Sequence, residues 1–180
     1  MAKTRIMVVR PNTTCSDAYN KMQKEGFEGL CPDVEIGMSW CTRGGDWDDT
    51  EYDEALAGYD MLTNGLKAQQ QNYDGIIIGS CCDANLDPLK QFVNIPVVGP
   101  GEASMLVAAF LVDKFSVLTI STGTFDSMMW RSAERLGIVS KVASIRRSIP
   151  GKLVMTIPPD MPKITRVLVD EAKRACDDDG

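Results

Sequence analysis

Histidine is absent from all 180 residues. That removes the imidazole on which a Cys–His nucleophile depends and the commonest nitrogen ligand of a zinc site. The six cysteines, Cys15, Cys31, Cys41, Cys81, Cys82 and Cys176, include no C-x-x-C pair, so free thiols are expected rather than a metal site or a disulfide framework. No stretch is basic enough to track a phosphate backbone, which disfavours nucleic acid as a partner. Long hydrophobic runs are missing too. "ASMLVAAFLV", Ala103 to Val112, is about half the ~20 residues that a bilayer requires, and the early "RIMVV" runs into Pro11 and Asn12 as a first strand does, not as a signal peptide does. A cytoplasmic protein without membrane contact is the expectation.

What is present fits an ordinary globular chain: 44% of residues are hydrophobic and 7% aromatic, enough to bury a core at this length. The net charge of −6 comes from acids such as those in "DWDDTEYDE" and the terminal "DDD", which read as solvated charge. The first of these lacks the glycine and ligand spacing of an EF-hand loop.

Strand signals alternate with helical ones. "RIMVV" leads through "PNTT" (11–14) into a helical stretch from about Ser16 to Lys24, and "VEIGMSW" is a second strand. "TEYDEALAGYDMLTNGLKAQQQ" has helical apolar spacing and a threonine at its start. "DGIIIGS" is a β-branched run expected to be buried on both faces. "LDPLKQF" is a short helix, "IPVVGP" a strand, and "GEASMLVAAFLV" a mostly buried helix. The order repeats in outline with "KFSVLTI", "FDSMMWRSAERLG" closed by Gly137, "KVASIRRS" and the amphipathic "MPKITRVLVDEAKRACDDDG". Such alternation specifies an α/β fold with parallel sheets flanked by helices. Ligands of these sheets sit beyond the carboxyl ends of the strands, where three polar loops fall: "PNTT", "SCCDAN" (80–85) and "STGT" (121–124).

A buried cysteine is usually a small hydrophobe, the expected role of Cys15, Cys31, Cys41 and Cys176. Cys81 and Cys82 stand apart because they end a strand and precede a helix, where backbone N–H groups and the helix dipole favour a thiolate. Packing is the competing reading for the pair. Without histidine, the chemistry open to such a thiolate is proton transfer at a carbon acid. Asn12, Thr13, Ser121 and Thr122, with backbone amides, would hold the carboxylate or carbonyl of a small-molecule substrate and stabilise its enolate.

"RIMVVRPNTT", "YDGIIIGSCCDANLDPLKQFVNIPVVGPGEASM" and "KFSVLTI" together resemble the aspartate/glutamate/hydantoin racemase superfamily, closest to its hydantoin and allantoin racemases. The resemblance implies two Rossmann-like lobes, here 1–97 and 98–180, with a ligand cleft between them. It also implies no metal or organic cofactor, and one cysteine from each lobe as a two-base pair. Aligned from Asp74 through Leu86, the first family cysteine falls on Ser80 and Cys81 comes one residue later, so the catalytic assignment is Cys81 or Ser80, with Cys82 beside them as a substrate contact. The second family cysteine follows the helix that here ends in "CDDDG", which places it after Gly180 in a longer chain. The expected substrate is a hydantoin-like ring or an amino-acid-type molecule. The alternatives are a one-cysteine decarboxylase of the same superfamily, and a non-catalytic anion binder or inactive fragment. "ASMLVAAFLV" and "DSMMW" suit the contacts of a homo-oligomer as well as a core.

Overall fold

The computed structural model describes residues 3–13, 17–121, 123–154 and 159–179. The first strand, β1 (Thr4–Arg10), pairs in parallel with β2 (Val34–Trp40) on one side and with β3 (Gly75–Ile78) on the other; β3 in turn pairs with β4 (Val97–Val98). The order β2-β1-β3-β4 is threaded by α1 (Asp17–Leu30), α2 (Glu51–Gln70) and α3 (Leu86–Phe92). A second parallel pair, β5 (Phe115–Ile120) with β6 (Val142–Ile149), follows α4 (Pro100–Leu111). Helices α5 (Phe125–Arg135) and α7 (Met161–Asp179) pack on that pair, and the four-residue α6 (Gly151–Val154) precedes α7. The chain divides into two compact units, Met1–Gly101 and Glu102–Gly180.

Alternation along the strands decides what each face of the first sheet does. Met7, Val9, Ile76 and Ile78 point into a core with Ala57, Met61 and Ala68 of α2 and Leu86 and Leu89 of α3. Each isoleucine fully removed from water there contributes about 1.5–3 kcal/mol. Val8, Arg10 and Ile77 face the other way, toward Gln23 and Phe27 of α1. Ile77 is therefore only half-buried, which corrects the expectation that "GIII" is enclosed on both faces.

Helix α2 starts where the sequence marks it. Thr50 Oγ1 accepts from the Asp53 amide at 3.3 Å while the Thr50 amide donates to Asp53 Oδ2 at 3.2 Å, a reciprocal cap of the first turn. Two turns further in, buried Asp60 Oδ2 accepts from the Thr42 amide at 2.7 Å, the Thr42 hydroxyl at 2.8 Å and the Arg43 amide at 2.9 Å. Burial alone would raise its pKa, but these donors and the Arg43 charge outweigh burial and hold it below the usual carboxylate value. A depressed folded pKa contributes stability that is complete above the unfolded value near ~3.9 and lost as pH falls through the folded one. Asp60→Asn is accordingly expected to cost about 1–3 kcal/mol near neutral pH. Urea unfolding should show that difference shrinking below about pH 4; a difference independent of pH would contradict this account.

Two expectations about exposure are corrected. Helix α4 is not mostly buried: Leu106, Val107, Leu111 and above all Phe110, 88% accessible, are exposed, and Met105 is the large side chain enclosed. Its nearly all-apolar sequence contains no polar stripe to say which side is covered. Nor are the scattered cysteines uniformly buried. Cys41 is, but Cys31, in the turn after α1, and Cys176, on α7, are exposed; Cys15 lies outside the described residues. The terminal acids are also more than solvated charge. Asp179 Oδ2 accepts from Ser116 Oγ at 2.7 Å and Ser144 Oγ at 2.5 Å, and Arg146 pairs with Glu171 at 2.6 Å and Asp178 at 2.9 Å, pinning α7 to the β5–β6 sheet.

Candidate active site

All four strands of the first sheet run the same way, so Arg10–Thr13, the 41–50 segment, Gly79–Asn85 and Gly99–Gly101 emerge at one edge. The chain leaves β1 for β2 on one side and returns to β3 on the other, and a sheet with that reversal opens a crevice between the diverging loops.

The 80–85 loop is built as a tight turn. The Asp83 amide donates to Ser80 O at 3.2 Å and the Leu86 amide to Asp83 O at 3.0 Å. Asp83 and Asn85 adopt φ values of 58° and 55°, a region that short Asp and Asn side chains tolerate. Asn85 is tied to α2, its amide on Glu54 Oε1 and its Nδ2 on Glu54 O, both at 2.9 Å. Asp83 Oδ1 accepts from the Gly101 amide at 2.8 Å. A Cβ on Gly101 would collide with the Cys81 carbonyl and the Asp83 carboxylate, so the backbone at Gly101 lies directly against the cysteine loop because it is glycine there.

Within this turn the two candidate bases part. Ser80 is 6% exposed; its hydroxyl donates to Asp48 Oδ2 and accepts from the Cys82 amide at 3.3 Å, which commits its one proton to Asp48. Cys81 is exposed and lines the cleft. The strand alternation that would have turned it away ends at Ile78 and does not govern a turn residue. Cys82, read from the sequence as a substrate contact, is 6% exposed.

The paired thiols shift one another. Donation from the Cys82 thiol holds Cys81 below the ordinary thiol range, with help from the Cys81 amide and against burial and the charges of Asp48 and Asp83. The same bond, then burial, pushes Cys82 far up. The cause is thus the neighbouring thiol first, whereas the sequence suggested the helix terminus; α3 begins only at Leu86. Cys41 is raised to about 12 by burial and by Asp60 and Asp48. Cys82→Ala should therefore move the midpoint of Cys81 alkylation by iodoacetamide to higher pH, and Cys82→Ser, which keeps a donor, should move it less. A pH profile unchanged in both variants would rule out the thiol pair as the cause.

The remaining edge residues carry polar work of their own. Asn12 is 3% exposed; its Nδ2 reaches Asp46 O at 3.3 Å while its Oδ1 is buried without a partner. Thr13 binds the 41–50 segment, its amide 3.0 Å from Gly45 O and its hydroxyl 3.1 Å from both Gly45 O and Asp46 Oδ1. Arg10 passes over Gly79, where a Cβ would stand 2.5 Å from its Cγ. In the second unit, the Ser121 amide and hydroxyl both reach Ile149 O, at 2.8 and 3.2 Å, and Thr122 lies outside the described residues.

Sequence reasoning therefore assembled Asn12, Thr13, Ser80, Cys81 and Cys82 at one sheet edge and passed over Asp48, Asp83 and Arg10. In the sequence Asp48 and its neighbours read as solvated acids, yet Asp46, Asp48 and Asp53 all accept bonds at or near the site. A signal for Arg10 was available in its place, directly before "PNTT" at the end of a strand. Among the described residues no three His, Cys, Asp or Glu side chains gather as a metal-ligand set, and no helix is long and apolar enough to cross a membrane.

Residues 6–180 match a family described as Asp/Glu/Hydantoin racemase. A hydantoin racemase of Paenarthrobacter aurescens is 26% identical over 177 residues, covering 98% of this chain and 73% of that protein. Another hydantoin racemase, from Pseudomonas sp. (strain NS671), is 25% identical over 175 residues, covering 97% of this chain and 69% of its own length. Among solved structures, an allantoin racemase from Klebsiella pneumoniae shares the fold with a TM-score of 0.85 at 23% identity, over 99% of this chain and 71% of that one.

Proposed function

Because the chain belongs to the Asp/Glu/hydantoin racemase family, and so to isomerases of the racemase kind, we propose that it removes and returns the proton of an acidic C–H beside a carbonyl, with the Cys81 thiolate as the base. The observation that carries this is the position of Cys81: an exposed thiol on the cleft, held below the ordinary thiol range by its neighbour. A base is most effective when its pKa lies near the working pH, and donation from Cys82 moves Cys81 in that direction. Ser80 serves the site differently, since its proton belongs to Asp48 and its oxygen orders the Cys82 amide.

The step balances without a metal or organic cofactor. The C–H pair of electrons delocalises onto the adjacent carbonyl as an enolate, the proton passes to Cys81 sulfur, and its return regenerates the thiolate. Asn12 Oδ1, a buried acceptor without a donor, suits a ligand N–H, which both a hydantoin ring and an ammonium group supply. A hydantoin-like ring or an amino-acid-type molecule is the substrate this reading names. The test follows the α-proton of such compounds by NMR in deuterated water, with native and thiol-blocked protein side by side. Thiol-sensitive loss of the signal is expected; no loss with any of them sinks the reading.

A further inference from the structure

From the cleft that holds Cys81 we infer that Arg10 is the group that binds a carboxylate of the substrate, so that the molecule taken is a small carboxylate with an apolar body. This deepens the proposed reading by naming the substrate class of the same site.

The cleft, about 400 Å3, is lined by Val8, Phe27, Ile77 and Val98 with Ser80 and Cys81 at one end. A volume of that order accommodates a small ligand. Among its described lining residues Arg10 carries the single positive charge. The chain has 25 acidic residues, yet among the described residues none pairs with Arg10; its one protein acceptor is the Tyr19 hydroxyl, 3.2 Å from Nη2. Its Nε is buried with no acceptor. A guanidinium offers five N–H donors in a fixed fork, and leaving most of them unmet in a half-buried position is costly unless a ligand completes them.

The surroundings hold the group without neutralising it. The register β1–β2 sets Trp40 beside Arg10, and the guanidinium carbon lies 4.9 Å from the Trp40 ring and 5.1 Å from that of Tyr19. Cation–π contacts of this kind fix a cation's position without consuming its N–H donors. The bare Gly79 backbone lets the Arg10 stem cross toward the loop that carries Cys81. A carboxylate on Arg10 would therefore anchor a substrate in the same cleft as the thiol, with its apolar remainder on Val8, Ile77 and Val98.

The test reads binding apart from turnover. Cys81 alkylation by iodoacetamide at fixed pH is followed by peptide mass spectrometry while isovalerate, or its neutral isostere isovaleramide, is added at graded concentrations. Each protein is compared with its own unprotected rate, so changes in intrinsic thiol reactivity cancel. Isovalerate should protect the native protein at lower concentration than isovaleramide. Arg10→Ala, or Arg10→Gln if alanine does not fold, should raise the half-protecting concentration of isovalerate at least about tenfold and leave that of isovaleramide unchanged, with Arg10→Lys in between. Equal protection of the native protein by the two compounds, or by neither, overturns the assignment without any variant. Equal weakening of both by the substitution overturns it in favour of a packing role. If selective protection stands while no compound exchanges its α-proton, the proton-transfer reading falls and the assignment of Arg10 holds.

Discussion

Cys81→Ala is expected to slow α-proton exchange by about 10²–10⁴-fold, the contribution of a positioned general base, while leaving the unfolding midpoint nearly unchanged. The small stability effect follows from position: Cys81 is exposed and its side chain belongs to no core cluster. The large kinetic effect follows from chemistry, because neither Ser80 nor Cys82 can take over. The Ser80 hydroxyl is a far weaker base than a thiolate and its proton is bound to Asp48; Cys82 is buried away from the cleft, and burial with the charges of Asp48 and Asp83 still disfavours its thiolate once the bond to Cys81 is gone. Chemical blocking alone would not isolate Cys81, since Cys31 and Cys176 are also exposed. The comparison is therefore best made in a background with both replaced by alanine. Exchange that persists at the native rate in Cys81→Ala would remove this residue from the mechanism, whatever the family does elsewhere.

The second large effect should come from a residue that touches no substrate. Gly101→Ala introduces a Cβ that meets the Cys81 carbonyl and the Asp83 carboxylate, one of them backbone, so relief requires moving the turn itself. Overpacking of this sort costs about 1–3 kcal/mol, and the displaced turn takes the Cys81 thiol with it. A loss of at least about tenfold in exchange is expected on top of the stability loss, because positioning errors of an ångström are expensive in catalysis. Gly26→Ala provides the matching control. It makes the same chemical change inside α1, where an added Cβ meets nothing within 4 Å, and should stabilise by about 0.5–1 kcal/mol through helix propensity. Urea unfolding gives the two variants opposite signs, and only Gly101→Ala loses exchange, if close approach at Gly101 is the reason for glycine there; a Gly101→Ala protein as stable and active as the native one would contradict it.

Much of the scaffold was legible in the sequence because its causes are local. "VEIGMSW" is strand β2 from end to end, and the threonine before "EYDEAL" caps α2 in the structure as its side-chain chemistry suggests. The alternation of strands and helices fixed an α/β fold with parallel sheets, and parallel strands bring their carboxyl ends, "PNT" and "SCCDAN" among them, to one edge. Periodicity and capping depend on residues within a turn or two, so a single chain read in order reveals them.

What tertiary structure decided depends on residues far apart in the chain. Ser80 is buried and Cys81 exposed because Asp48, 32 positions earlier, takes the Ser80 hydroxyl and because Gly101 admits the turn. Arg10 is set beside Trp40 by strand register, and nothing in "VVRPN" foretells that it meets no acid among the described residues. The apolar run of α4 fixed a helix but not its cover, and the acids of "DWDDT" looked like solvated charge until the sheet edge was built beneath them. Hydrogen-bond donors, counter-charges and van der Waals limits act through space, so the chemistry of these side chains is set by the neighbours that folding brings to them.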